Sequence, residues 1–154
     1  MASVLDMLLG VPLSRATQHA QVDSHLRFRA AHELRGTLSE NISHITQKSG
    51  ALLAAQAIFI VVDTYGVDHG WPRIAVLVSV VTLVLAALLV MMNLRSILIV
   101  PPADTSDAAA FERETLYRLG ALAASRGARF NIALYLTFLS VILMGFGAVE
   151  ASLA

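Results

Sequence analysis

The sequence predicts an all-α integral membrane protein with three transmembrane helices. Its 154 residues are 56% hydrophobic and only 14% charged, whereas a soluble domain of this size carries roughly 25% charged residues. Three apolar runs are also long enough, or nearly so, to cross a hydrocarbon core of about 30 Å. The basic residues are very unevenly distributed between the segments that separate these runs, which predicts an orientation as well.

The three predicted spans cover residues 49–65, 74–92 and 130–153 of a membrane domain that comprises residues 49–154. The second span contains no charged residue, and the short first span can be completed by the last turn of a preceding helix. Basic and aromatic residues at span ends commonly anchor a helix in the interface. We therefore predict interfacial anchoring by Lys48, Trp71, Arg95 and Arg129, and a hydrated interfacial position for Asp63.

Three further segments precede or connect the spans. Residues 1–13 form a short apolar N-terminal segment. Residues 14–48 are predicted to form one amphipathic helix, because apolar side chains recur every three or four positions: Val22, Leu26, Ala30, Leu34, Leu38, Ile42 and Ile45. Residues 103–128 predict a second amphipathic helix, with Glu114 and Arg118 paired one turn apart. We expect these two amphipathic helices to pack on each other.

The basic residues predict that the N-terminus is cytoplasmic and the C-terminus outside. Five of the 11 Lys and Arg residues precede the first span, and five lie between the second and third spans. The remaining one, Arg73, lies in the reversal between the first and second spans. Under the positive-inside rule, this distribution places both amphipathic helices on the cytoplasmic side of the membrane.

No grouping of residues indicates catalysis, a cofactor or a metal ion. The chain has no cysteine and none of the nucleophile, zinc-protease or nucleotide-binding motifs. His25 and His32 are too far apart along a helix to share one ion, and Glu40 with His44 would supply only two ligands. The net charge of zero does not favour a nucleic-acid polymer as partner. We predict that the protein is not an enzyme.

The first span contains small residues and one amide. Gly50, Ala54 and Ala57 permit close approach of helices, and Gln56 needs a hydrogen-bond partner in lipid. A bundle of only three spans gains buried area by self-association. We therefore predict a homo-oligomer whose interface includes these four residues.

The arrangement resembles the membrane module of the Pycsar-system effector family of bacterial anti-phage proteins. The resemblance covers residues 34–150 and lies in a helix running into Lys48-Ser49-Gly50-Ala51-Leu52-Leu53-Ala54, an uncharged second span, and a connector that enters the last span through Arg126-x-x-Arg129. The family has an Asp shortly before the lysine, where this chain has Ile45-Thr46-Gln47. The resemblance implies a membrane effector that rearranges on activation, disrupts the inner membrane and halts phage growth by stopping the host.

Under that interpretation, a cyclic nucleotide or a cytoplasmic protein would contact the basic residues of the two amphipathic helices: Arg27, Arg29, Arg35, Arg113 and Arg118. Arginine suits phosphate recognition because its planar guanidinium donates two parallel hydrogen bonds. The same arginines could instead only set topology and form surface pairs. Two other functions stay open, a membrane scaffold that docks a cytoplasmic partner and a small ion channel.

Overall fold

A computed structural model describes residues 15–27, 30–94 and 108–153. Within these ranges the chain consists of four helices, with no strand: α1 (Arg15–Leu26), α2 (Ala31–Asp68), α3 (Arg73–Leu94) and α4 (Ala108–Leu153). The predicted N-terminal segment 1–13 lies outside the described residues, as do Arg29 and Arg95. The predicted all-α fold is confirmed.

Three of the helices, α2, α3 and α4, are long and apolar enough to cross a membrane, which confirms the three predicted spans. The chain divides into two compact units. The N-terminal unit contains α1, α2 up to Thr46 and α4 up to Ala128; the span unit contains α2 from Gln47, α3, and α4 from Arg129. Both α2 and α4 therefore contribute residues to both units.

The prediction of a single helix over residues 14–48 was wrong, because α1 ends at Leu26 and α2 begins at Ala31. The Ala30 carbonyl accepts hydrogen bonds from the amides of Glu33 and Leu34, as expected at a helix start. Periodicity did not reveal the break, since Val22 of α1 and Leu34 of α2 belong to one apolar cluster with Leu116 of α4. A stripe that continues in register on two helices looks the same in sequence as a stripe on one.

Residues 108–128 of the predicted connector are helical, and residues 103–107 lie outside the described residues. The contact of this helix with the first amphipathic segment is the cluster of Val22, Leu34 and Leu116, and the Arg118 Nε donates to Glu114 Oε1 at 2.9 Å. The helix begins at Ala108 and continues through Gly127 to Leu153 without interruption. The third span is therefore the C-terminal part of one 46-residue helix.

A tight reversal joins α2 to α3. Gly70 has a φ of 84°, a backbone conformation that glycine adopts without steric cost. The Trp71 amide donates to the Gly66 carbonyl at 2.9 Å and the Gly70 amide to the Val67 carbonyl at 3.4 Å, which is the Schellman pattern of a helix C-terminus. Two hydrogen bonds and one glycine thus turn the chain from the first span into the second.

The span unit buries polar and small residues together with some large apolar ones, such as Leu83, and exposes many large apolar residues. The interior of the span unit includes a cluster of Ala86, Val90 and Ala133, whereas Ile74 and Leu77 of α3 are 78% and 64% exposed. Such a distribution is expected in lipid, where there is no hydrophobic force between helices and small residues allow close packing.

Candidate functional site

The N-terminal unit has an open pocket that brings together two of the predicted contact residues. One part of it, of about 320 Å³, is lined by Asp23, Leu26, Arg27 and Arg113. Arg27 immediately follows α1 and Arg113 lies in α4, so the fold joins arginines that are far apart in sequence. Arginine side chains from two elements around one cavity can contact the same anion.

The adjoining part of this pocket, about 340 Å³ in volume, has a more apolar lining. It shares Leu26 and Arg113 with the first part and adds Ala30, Ala31, Ala109, Glu112 and Leu116. The two parts together are named the arginine pocket. Its lining combines two guanidinium groups, two carboxyl groups and several apolar side chains, and each open part has a volume within the usual range of small-molecule sites, about 300–1,000 Å³.

Aromatic residues support the α1 side of this pocket. The Tyr117 hydroxyl donates to Asp23 Oδ1 at 2.7 Å, and the Tyr117 ring stacks on His19 with 4.0 Å between ring centroids. The hydrogen bond to Asp23, with a smaller effect of burial, raises the pKa of the Tyr117 phenol above its ordinary value. These contacts fix the position of Asp23, which was not among the predicted contact residues.

The other arginines of the predicted contact set do not join the pocket. Arg35 is exposed on α2 and is not among the pocket-lining residues. Arg118 forms an ion pair with Glu114 on the surface of α4, and Arg29 lies outside the described residues. The structure therefore brings two of the five residues together around one pocket, and a role for any of the five in binding stays a prediction.

The four residues of the predicted oligomer interface also differ in their surroundings. Gly50, Ala54 and Ala57 are exposed, so their role in self-association stays a prediction. The assignment of Gln56 to a subunit contact is corrected, because this side chain is fully buried within the chain and its Nε2 donates to Thr137 Oγ1 at 2.8 Å. The partner of the Gln56 amide therefore lies on α4 of the same chain.

The predicted interfacial anchors differ in their surroundings. Lys48 is exposed, and Trp71 and Arg129 are half-buried; Arg95 lies outside the described residues. A Cβ at Gly66 would overlap the Trp71 ring, and one at Gly147 would be 3.4 Å from it. Trp71 thus packs between helices, and interfacial anchoring by these residues stays a prediction.

Asp63 does not occupy the hydrated interfacial position that was predicted for it. It is fully buried, and its Oδ2 accepts a hydrogen bond from Ser79 Oγ at 2.7 Å. Ser79 Oγ is in turn 2.6 Å from Ser140 Oγ, and both serines are fully buried. We call Asp63, Ser79 and Ser140 the Asp63 cluster; it takes one side chain from each of the three spanning helices.

A spacing signal for this interior was present in the sequence. Ser49, Gln56 and Asp63 are seven residues apart, which places them on one face of α2, and all three are fully buried. Heptad spacing does not say whether such a face contacts lipid, another subunit or the chain's own helices. The sequence analysis therefore did not predict that these three residues lie in the interior of the chain.

The described residues contain no group of three or more His, Cys, Asp or Glu side chains that could hold a metal ion. Glu40 and His44 do come within 3.5 Å of each other on the surface of α2. The two features of chemical interest are therefore the arginine pocket and the Asp63 cluster. Comparison of the chain with protein-family models, with curated proteins and with solved structures finds no match.

Proposed function

We propose that this protein is a non-enzymatic effector of the bacterial inner membrane that perturbs membrane integrity when an anionic ligand, such as a cyclic nucleotide, binds the arginine pocket. The observation that carries the proposal is the presence of Arg27 and Arg113 around one cavity. The setting of anti-phage defence comes from the resemblance to the Pycsar-system effector family.

The lining of the pocket suits a nucleotide chemically. The guanidinium groups of Arg27 and Arg113 can each donate paired hydrogen bonds to a phosphate. Leu26 and Ala31 offer an apolar surface for a base or ribose. The carboxyl groups of Asp23 and Glu112 can accept hydrogen bonds from base N–H or ribose O–H groups. An acidic protein partner would use the arginines but leave the two acidic residues facing like charge.

One helix, α4, contributes residues both to the proposed ligand site and to the spans. α4 carries Arg113 of the pocket and also Thr137 and Ser140 of the span interior. A ligand that binds one arrangement of α1 and α4 more tightly shifts the population toward that arrangement. Because α4 is continuous, such a shift acts on a helix that also contributes to the span unit.

Two further features support the cellular part of the proposal. Ten of the 11 basic residues lie in segments that share one side of the membrane in a three-span topology, which favours a cytoplasmic N-terminal unit and an external C-terminus. Exposed Gly50, Ala54 and Ala57 on α2 offer a surface of small side chains on which copies of the chain could pack. A homo-oligomer is therefore part of the proposed active form.

The test is regulated expression in a bacterium with a membrane-potential dye, with and without a co-expressed nucleotide cyclase. We expect depolarisation and growth arrest only when the cyclase is active, and loss of both in Arg27→Gln and Arg113→Gln. Arg118→Gln is the matched control, because Arg118 lies on the same helix as Arg113 but is paired with Glu114. Retained activity in both pocket variants, or equal loss in the control, would contradict the proposal.

The same experiment separates the alternatives. A membrane scaffold would cause neither depolarisation nor growth arrest under any signal. A small channel without a ligand switch would depolarise cells regardless of the cyclase and of the arginine substitutions. Cross-linking in intact membranes tests the oligomer, and a purely monomeric pattern in arrested cells would remove self-association from the proposal.

A further inference from the structure

The Asp63 cluster is a fully buried ionisable group among helices that cross a membrane. Each of its three side chains is completely inaccessible to solvent. An acidic residue in a transmembrane interior is costly and usually serves a purpose, such as an ion site or a proton relay. The arginine pocket contributes no residue to this cluster, so a role for Asp63 does not depend on the proposed effector function.

An ionised Asp63 would lack hydrogen-bond donors and a cation. With Asp63 as a carboxylate, Ser79 donates to Oδ2 and Ser140 donates to Ser79, which uses both hydroxyl protons. Asp63 Oδ1 is buried and has no hydrogen-bond partner. Among the described residues, no ion pair involves Asp63 either. A full negative charge would therefore rest on a carboxyl group with one donor and no cation.

One added proton removes this charge without moving any heavy atom. Asp63 Oδ2–H can donate to Ser79 Oγ, and Ser79 can donate to Ser140 Oγ, over the same separations of 2.7 and 2.6 Å. Oδ1 is then a neutral carbonyl oxygen. Burying an unpaired neutral acceptor costs far less than burying an unpaired carboxylate, so this arrangement is favoured.

We propose that the Asp63 cluster is a proton-binding site, in which the Asp63 carboxyl carries the proton and the Ser79 and Ser140 hydroxyls form a hydrogen-bonded row that accommodates both protonation states. Binding converts the carboxylate and one proton into the carboxylic acid, with no other change of covalent bonds. On loss of the proton the two hydroxyls rotate, so that Ser140 donates to Ser79 and Ser79 donates to Asp63 Oδ2.

The geometry favours a proton over an alkali cation. The oxygen separations of 2.7 and 2.6 Å are those of direct O–H···O hydrogen bonds. In the described structure, Asp63 Oδ2 and both hydroxyl oxygens are thus engaged with one another.

No other titratable group faces this carboxyl among the described residues. On the three spanning helices and the α2–α3 turn, the ionisable side chains nearest in sequence to the cluster members are all exposed: Tyr65, Asp68, His69, Arg73, Tyr135 and Glu150. The groups that contact Asp63 from α3 and complete the row from α4 are the neutral hydroxyls of Ser79 and Ser140. The charge state at this position is therefore decided by burial and by these two hydrogen bonds.

Infrared spectroscopy of the purified full-length protein in lipid nanodiscs tests the proposal. At neutral pH we expect the C=O stretching band of a protonated, hydrogen-bonded carboxylic acid, and a small shift of that band in D₂O as the proton exchanges. Asp63→Asn removes the band, and Asp68→Asn, an exposed Asp on the same helix, leaves it unchanged. Ser79→Ala keeps the band but shifts it to higher frequency, because the acid loses its hydrogen-bond acceptor.

Two results would overturn the proposal. One is the absence of an acid band at neutral pH in a folded protein, in particular if NaCl raises the melting temperature more than choline chloride does, which would indicate a sodium site. The other is a band that persists in Asp63→Asn. Should Asp63→Asn fail to fold, the band in the wild type and its shift in Ser79→Ala still decide the question.

Discussion

Gln56 donates a hydrogen bond from its side-chain amide to the Thr137 hydroxyl, 2.8 Å away, and thereby joins α2 to α4 inside the span unit. The Thr137 hydroxyl donates its own proton to the Ala133 carbonyl one turn earlier on α4. The two partners are therefore unequal. Thr137 keeps a satisfied donor when Gln56 is absent, whereas the Gln56 amide depends on Thr137.

Because of this difference, replacing Gln56 and replacing Thr137 by an apolar residue should lower the free energy of unfolding by different amounts. Gln56→Leu removes an amide whose Oε1 already has no partner and should lower the free energy of unfolding by about 0.6 kcal/mol or less. Thr137→Val leaves the Gln56 amide unpaired and should cost about 1–3 kcal/mol. Unfolding in detergent mixtures measures both. A larger loss for Gln56→Leu than for Thr137→Val would contradict this account.

Gly66 is predicted to tolerate no side chain, because a Cβ there would overlap the Trp71 ring. Gly66→Ala should cost about 1–3 kcal/mol through overpacking. Gly50→Ala is the matched control on the same helix, since nothing lies within 4 Å of a Cβ at that position; it should be neutral or slightly stabilising, by up to about 1 kcal/mol.

The comparison is made in monomeric detergent-solubilised protein, because Gly50 also belongs to the predicted oligomer surface. Adding Trp71→Ala to Gly66→Ala should recover most of the loss that the clash causes, relative to Trp71→Ala alone. Additive losses in this double-mutant cycle would show that the ring is not what restricts Gly66.

The spans were predictable and their interior was not, for one physical reason. Lipid selects long apolar runs, so α3 with its uncharged sequence could be read directly as a span. The inward faces mix apolar with polar side chains, so hydropathy does not separate them from the lipid-facing sides, and Asp63, at the end of a span, looks in sequence like an interfacial residue. Its complete burial and the contact of Ser79 with its carboxyl identify it as internal.

The residues that line the arginine pocket were likewise not predictable from the sequence. Arginine content and an apolar stripe predicted two helices that pack together, and they do so through Leu34 and Leu116. Which arginines share a cavity depended on the break after α1, which the continuous stripe concealed. Arg27 joins Arg113 in the pocket lining, whereas Arg118, further along the same helix, pairs with Glu114 instead.

The hydrogen bond from Tyr117 to Asp23 predicts a pH-dependent contribution to the docking of α1. It raises the pKa of the Tyr117 phenol, so its stabilisation is complete below the ordinary tyrosine pKa of about 10 and is lost as the pH rises through the higher folded value. At neutral pH, Tyr117→Phe should cost about 0.5 kcal/mol, a modest amount because solvent screens the pair.

Hydrogen exchange of the α1 backbone amides measures that cost. Ultraviolet titration of the wild type against Tyr117→Phe isolates one phenol of the three in the chain, and Asp23→Asn should lower its pKa toward the ordinary value. A titration of Tyr117 that Asp23→Asn leaves unchanged would mean that the carboxyl is not the cause.

Thr46 is a position at which a new carboxyl should strengthen the N-terminal unit. Arg126 of α4 is only 7% exposed, and its Nη1 donates to Thr46 Oγ1 at 3.2 Å. The Thr46 hydroxyl donates its own proton to the Ile42 carbonyl at 2.8 Å, so toward the arginine it acts as a neutral acceptor. Hydrogen bonds between charged partners are about twice as strong as those between neutral groups.

Thr46→Asp should therefore raise the free energy of unfolding by about 1 kcal/mol, a value reduced by the cost of partly burying the new carboxylate. Thr46→Ser keeps the hydroxyl and should be neutral, and Thr46→Val removes the acceptor and should cost about 1 kcal/mol. Because an ion pair is screened by salt only where water reaches it, most of the gain should persist at high ionic strength. A gain that disappears in salt, or one that survives in Thr46→Asp/Arg126→Gln, would show that the new carboxylate acts elsewhere than on Arg126.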